Sequence, residues 1–259
     1  MKNIFLENIY KFEEDNRKSS VFVYAENLIT GEIFKYKATQ CFPAASVIKI
    51  FILASLLDYS IKKDVSFNKK IYINKIDPMI KAGGSGIIKY LHNNILLTIE
   101  DLCVLMMSQS DNIATNKIVD LVGIDYINKY IKYLNLGSTK LLNKIQKGND
   151  LFANKTSCAD CVNLFKLASQ NNIPLSKKFL YFTSISQTDY GISRFLPDKF
   201  KIYRKEGILD HLEDRIVVNE TVLAGDLFVL SICVDGEQDK RVSMDFMSEF
   251  GALIYNYWF

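Results

Sequence analysis

Strand-forming segments lie near both ends of this 259-residue chain, and the stretch between them reads almost entirely as helix and loop. Segments so far apart in sequence can share one core only by pairing in a common sheet, and this constrains the fold more than any single motif. At the N-terminal end, SVFVYAENLITGEIFKYKA alternates as a hairpin does. Val21 to Tyr24 and Ile33 to Tyr36 are the predicted strands, with Thr30-Gly31 at the turn. At the other end, KIYRKEGIL, DRIVVNET and DLFVLSICVDG are rich in β-branched residues and separated by turn-forming ones. An amphipathic helix precedes the first group, with Phe5, Leu6, Ile9 and Phe12 on one side, and SMDFMSEFGALIYNYWF forms another after the last. The economical assembly is an α+β fold with one antiparallel sheet, built from both chain ends and faced by the terminal helices. Residues 1–65 and 186–259 then form a discontinuous sheet domain, residues 66–185 an inserted helical domain, and the active site is expected in the groove between them.

Within the middle, TIEDLCVLMMSQS starts at a good N-cap, Thr98. NIATNKIVDLVG and GIDYINKYIKYLNLG are expected to end at Gly123 and Gly137. KTSCADCVNLFKLASQ is capped by Thr156 or Ser157. The balance of 49% hydrophobic and 24% charged residues is that of a globular chain. The net charge of +3 is scattered among acidic residues, which excludes a nucleic-acid partner. No apolar run reaches the ~18 residues of a membrane span, so no membrane partner is expected. Acidic residues interrupt the N-terminal apolar runs, so no secretory h-region is expected in them. A cytoplasmic monomer is expected if Met1 is the natural start, and an extracytoplasmic protein if a leader has been trimmed. The five cysteines (Cys41, Cys103, Cys158, Cys161 and Cys233) read as free thiols. Cys41 is expected as a small buried residue. Cys158 and Cys161 form a lone C-x-x-C with no second pair and no nearby histidine, so they read as a packed helix face and no metal or cofactor is expected.

One stretch carries chemistry. FPAASVIKIFILASLLD, residues 42–58, is strongly apolar yet holds Lys49, three residues after Ser46. Lys49 either lies on the outer face of this helix or is a desolvated base for Ser46, whose hydroxyl shares its face. A lysine removed from water titrates lower and can take a proton as the neutral amine. The same spacing recurs at Ser60/Lys63 and Ser66/Lys69, but in a lysine-rich polar stretch where both serines are expected to be solvated. Ser110-Asp111-Asn112 follows an apolar helix and offers a hydroxyl and a side-chain amide, or simply a helix cap. Arg204-Lys205-Glu206-Gly207 lies on a predicted strand, and by itself reads as a charged edge strand ending at glycine.

Together, SVIK, SDN and KEG occur in the order of the S-x-x-K, S-D-N and K-T-G signature of the serine β-lactamase and penicillin-binding protein superfamily. The chain resembles that superfamily, most closely class A, over residues 18 to 258. The resemblance implies an acyl-enzyme hydrolase of β-lactamase type (EC 3.5.2.6) acting on a small-molecule acyl substrate, with a link to antibiotic resistance. Ser46 would be the nucleophile, and Lys49 its base or part of a relay with Ser110 and Lys205. Asn112 would hold the substrate amide. The backbone N–H groups of Ser46 and Ile208 would form the oxyanion hole, with Gly207 letting the substrate run along the strand. A Ser-His-Asp triad through His211 with Asp210 or Asp214 is the poorer alternative, since His211 is expected in a turn after the KEG strand and the other histidine is His92.

The pattern also departs from the family. The family's deacylating glutamate aligns with Ile145, in a loop (residues 136–157) whose only carboxylate is Asp150. The middle of K-T-G, whose hydroxyl helps bind the substrate carboxylate, is Glu206. Glu206 would repel an anion unless a neighbouring cation pairs with it, or the true substrate carries an amine there. Poor β-lactam turnover is therefore expected. Two other functions stay open: an amidase, esterase or peptidase of glutaminase-like type on a small intracellular substrate, and a non-catalytic β-lactam or ligand-binding sensor.

Overall fold

Both chain ends do meet in one sheet. The structure, a computed structural model, describes residues 2–74, 84–92, 94–145, 154–188, 190–212 and 215–259. Helix α1 (Lys2–Asp15) leads into β1 (Ser20–Asn27) and β2 (Ile33–Tyr36). Their hairpin is tied by Asn27, whose Oδ1 accepts from the N–H groups of Ile29 and Thr30. After β3 (Phe42–Pro43) and a 3₁₀ turn (Ala45–Val47) comes α2 (Ile48–Lys62). The middle comprises β4 (Lys70–Ile73), β5 (Ile95–Thr98), α3 (Ile99–Ser108), α4 (Asn112–Val122), α5 (Ile124–Tyr133), β6 (Lys155–Thr156), α6 (Cys158–Ser169) and α7 (Ser176–Ser184). Strands β7 (Ile202–Leu212), β8 (Arg215–Ala224) and β9 (Phe228–Glu237) and helix α8 (Lys240–Trp258) complete the chain.

The five-stranded sheet has the order β2-β1-β9-β8-β7, with every neighbouring pair antiparallel. Alternation along its strands fills two cores, as a pleat of period two requires. Val21 and Val23 of β1, Val218 and Val222 of β8, and Leu230 and Ile232 of β9 pack with Phe5 and Ile9 of α1 and Phe246 and Phe250 of α8. Phe22 and Tyr24 of β1, Val217 and Leu223 of β8, and Cys233 of β9 face the helices of the middle block. At the centre of that block is α2, on which every residue from Ile48 to Asp58 is buried. A helix apolar all round is stable only when wrapped on all sides, and here α3, α4, α5 and α7 surround it.

Several elements differ from the sequence expectation. The middle block also contains strands: β4 pairs with β5, and β3 with β6. Helix α5 stops at Tyr133, short of Gly137, because Asn135 takes the left-handed conformation (φ 58°) that ends the helix. Ser157, not Thr156, caps α6 by accepting from the Asp160 N–H. Strand β7 does not end at Gly207 but runs to Leu212, so His211 lies within a strand rather than a turn. Ser60 is buried, its hydroxyl donating to Leu57 O, while Ser66 is exposed as expected. Cys41 is exposed, whereas the other four thiols are buried. The capping box at Thr98 and the helix end at Gly123 are as the sequence suggests.

Candidate active site

Three elements converge on Ser46. It is the middle residue of the 3₁₀ turn ahead of α2, and Ala45 just before it has φ 47°. A non-glycine residue in the left-handed region costs roughly 1–2 kcal/mol, so the surroundings must hold this turn in place. They do so through the backbone that leads into it. Ala44 N donates to Asn154 O at 2.7 Å, and Asn219 Nδ2 on β8 donates to Pro43 O and Ala44 O, each at 3.2 Å. Gly207 on β7 lies against the same turn. A Cβ at position 207 would stand 2.8 Å from Ser46 N and 2.5 Å from Asn219 Oδ1, so glycine is required by close approach alone. Ile208 is the next residue on that strand, paired with Val218.

Lys49 is on the first turn of α2 and is completely buried. Its Nζ lies 2.9 Å from Ser46 Oγ, 2.7 Å from Ser110 O, 2.9 Å from Ser110 Oγ and 2.9 Å from Asn112 Oδ1. Four oxygens surround a group that has three N–H donors as an ammonium and two as an amine. Two of the four, Ser110 O and Asn112 Oδ1, can only accept. A neutral amine would donate to both and keep its lone pair for a hydroxyl proton. Burial pushes the Lys49 amine well below the usual lysine range and the Lys205 charge adds to this, with Glu206 and Asp111 opposing.

The S-D-N turn is rigid because Asp111 is fully engaged. Its Oδ1 accepts from Ile113 N and Ala114 N, capping α4, and its Oδ2 accepts from Ile87 N and Ile88 N. Asn112 N donates to Ser85 O. Ser110 has φ 51°, a strained conformation next to the lysine it touches. So the cap reading of this turn is right for Asp111, while Ser110 and Asn112 reach Lys49.

Lys205 and Glu206 form the other side of the site. Both are buried, and Lys205 Nζ lies 2.7 Å from Glu206 Oε1. Glu206 also accepts from Ser186 Oγ at 3.2 Å. Burial pushes its carboxyl up, but Lys205 and the hydrogen bonds outweigh this and hold it below the usual range. Glu206 is opposite Glu220 in the β7–β8 register. Glu220 is 1% exposed, its Oε2 accepts from Ile192 N at 2.6 Å, and its Oε1 has no hydrogen-bond partner among the described residues. Burial pushes the Glu220 carboxyl up to about 8 against the opposing Arg204 charge.

Of the sequence candidates, Ser46, Lys49, Ser110 and Asn112 make one hydrogen-bonded cluster, with Gly207 packed on Ser46. Glu206 pairs with Lys205, while Arg204, its neighbour two residues back, donates to Ser193 Oγ. The alternative triad has little support: Asp210 pairs with Lys240 at 3.4 Å, His92 is exposed, and Asp214 and the His211 side chain lie outside the described residues. Asp150 also lies outside them. Ile145 packs against the helical core, and its backbone is pinned to Asn116 by N–H to Oδ1 (2.8 Å) and Nδ2 to O (2.9 Å). Sequence reasoning missed Asn116, Asn219 and Glu220. For the last two, the signal was a polar Asn-Glu-Thr triplet inside the otherwise apolar β8.

Residues 5–258 match the family model described as the β-lactamase enzyme family. The β-lactamase BRO-1 of Moraxella catarrhalis is 29% identical over 123 residues, which is 45% of this chain and 36% of that protein. A β-lactamase of Bacteroides uniformis is 26% identical over 203 residues, 71% of this chain and 66% of its own length. These matches thus span less than two thirds of either relative. A PBP-A variant solved as its acyl-enzyme with penicillin G has a TM-score of 0.86 at 22% identity, covering 98% of this chain and 96% of that one. The architecture is the class A β-lactamase fold.

Proposed function

The chain belongs to the β-lactamase enzyme family, and we propose that it is a serine acyl hydrolase in which Ser46 forms the acyl-enzyme. The observation that carries this reading is the buried Lys49 amine, in reach of the Ser46 hydroxyl and of two obligate acceptors. Ser46 Oγ attacks the substrate carbonyl carbon while its proton passes to Lys49 Nζ. The negative charge that develops on the carbonyl oxygen is met by backbone N–H groups of Ser46 and Ile208. The C–N or C–O bond then breaks, and the proton returns through Ser110 Oγ to the departing atom. Asn112 orients the acyl group's amide. Hydrolysis of the ester by water completes the cycle.

That second half needs a base for water, and Ile145 stands where the family's glutamate aligns. Without the carboxylate, loss of general-base catalysis slows deacylation by ~10²–10⁴-fold. A penicillin should therefore acylate Ser46 and leave it slowly. This same observation favours, as a second reading, a protein that senses a β-lactam by being acylated.

Intact mass spectrometry tests the proposal. The protein is incubated with benzylpenicillin and, separately, with a fluorophosphonate, beside Ser46→Ala. A fluorophosphonate adduct on Ser46 and a slowly formed, long-lived penicillin adduct are expected, both absent from the variant. Rapid penicillin consumption lost in Ser46→Ala would contradict slow turnover. No adduct from either reagent would remove Ser46 as the nucleophile.

A further inference from the structure

We propose that Glu206 determines the substrate class of this groove: it occupies Lys205 and so disfavours acyl substrates with a carboxylate beside the scissile carbonyl, in favour of those with an ammonium group there. This inference rests on the acyl-transfer reading above and concerns what that site accepts.

The argument starts from the sheet. Side chains alternate, so Lys205 and Gly207 share the face that meets the Ser46 turn, while Arg204 and Glu206 belong to the other. Among the described residues, strand β7 is an edge of the sheet. A long side chain can turn around such an edge, and Glu206 meets the Lys205 ammonium at 2.7 Å. Its carboxylate is close enough to the reaction centre for its charge to bear on Lys49.

A substrate carboxylate arriving here would compete with a carboxylate already in place. To reach Lys205 it must displace Glu206, leaving that carboxylate buried without its cation. The next group along the register is another carboxyl, Glu220, whose buried Oε1 has no hydrogen-bond partner among the described residues. Arg204 does not open the subsite to an anion, because its guanidinium donates to Ser193 Oγ and its charge acts on Glu220. Tyr190 also lies within range of both glutamates. An ammonium, by contrast, leaves the Lys205–Glu206 pair intact and meets the Glu206 carboxylate as an attractive charge rather than a competing one.

The test uses one lactam with opposite charges: benzylpenicillin, and the amide of its carboxyl group with ethylenediamine. Second-order acylation of Ser46 is followed by intact mass for the wild type, Glu206→Thr and Glu206→Gln. Fluorophosphonate labelling normalises each protein for folded, reactive serine. The expected wild type reacts about 10-fold or more faster with the ammonium form, since juxtaposed like charges disfavour the acid. Glu206→Thr should reverse this preference, by about 10- to 100-fold in the ratio, and Glu206→Gln should abolish it. A wild type that prefers the free carboxylate would overturn the inference, as would a rate ratio that neither variant changes. Fluorophosphonate labelling with an unchanged ratio would strike only the specificity claim. If no reagent labels Ser46, the acyl-transfer reading falls and takes this inference with it.

Discussion

The two buried lysines of the candidate site are held differently. Lys49 is held by groups from separate elements: Ser46 from the turn before α2, Ser110 from the turn after α3, and Asn112 from the first residue of α4. Lys205 is held by its own neighbour, Glu206. Around Lys49 the acceptors match the donors of a neutral amine, and Asp111 beside them is satisfied on both oxygens. Within range of the Lys205 charge, by contrast, Glu220 keeps a buried Oε1 without a hydrogen-bond partner among the described residues. The contrast separates two tasks. A group that must lose and regain a proton needs a fixed, closed environment. A buried ion pair such as Lys205–Glu206 instead fixes which charge its surroundings favour.

The sharpest way to break this comparison is to remove the amine. Lys49→Met should lower fluorophosphonate labelling of Ser46 by about 10⁴-fold, the scale on which a serine nucleophile loses its base. Circular dichroism must show the variant folded, and labelling within 10-fold of wild type would make Lys49 structural only. Next come the surroundings of Lys205. Glu220 has its folded pKa raised from 4.5 to about 8, so it binds a proton more tightly folded than unfolded. Its contribution is complete below about pH 4.5 and is lost as pH rises through about 8. Glu220→Gln should remove a loss on the order of a few kcal/mol between pH 5 and 9, read from urea unfolding at both pH values. Equal pH slopes in the two proteins would show that Glu220 titrates normally.

A third change bears on the loop. Ile145→Glu should clear the penicillin adduct about 10²-fold faster, at some cost in apolar packing. An adduct lifetime unchanged in this variant would mean that position 145 cannot deliver a base to the ester. The smallest effect expected is at the contact between strand and turn. Gly207→Ala places a Cβ 2.8 Å from Ser46 N, and the turn must shift. Acylation should fall about 10- to 100-fold, the scale of a small misplacement of a reacting group. Wild-type rates would show that the turn yields freely.

Much of the first region was legible in the sequence. A lysine inside FPAASVIKIFILASLLD has few chemical uses, and the S-D-N and KEG segments gave it partners. The apolar alternation of β1, β8 and β9 likewise foretold a sheet made from both chain ends. The second region was less legible because it depends on register. That Glu206 is opposite Glu220 follows from how β7 pairs with β8, which no local pattern encodes. The short strands β4 and β5 were missed for a related reason: KIYI and ILLT lie far apart in sequence and stabilise each other only as a pair. The end of α5 turned on Asn135, a residue that tolerates the left-handed conformation and stopped the helix before its glycine.

The most direct measurement is the pH dependence of fluorophosphonate labelling at Ser46, from pH 5 to 10. Lys49 acts as a base only when neutral, and burial lowers its proton affinity well below that of a free lysine. The labelling rate should therefore rise and level off at a pH well under 10, and Lys49→Met should be slow at every pH. A rate still climbing at pH 10 in the wild type would contradict a neutral amine at Lys49, as would a profile unchanged by Lys49→Met.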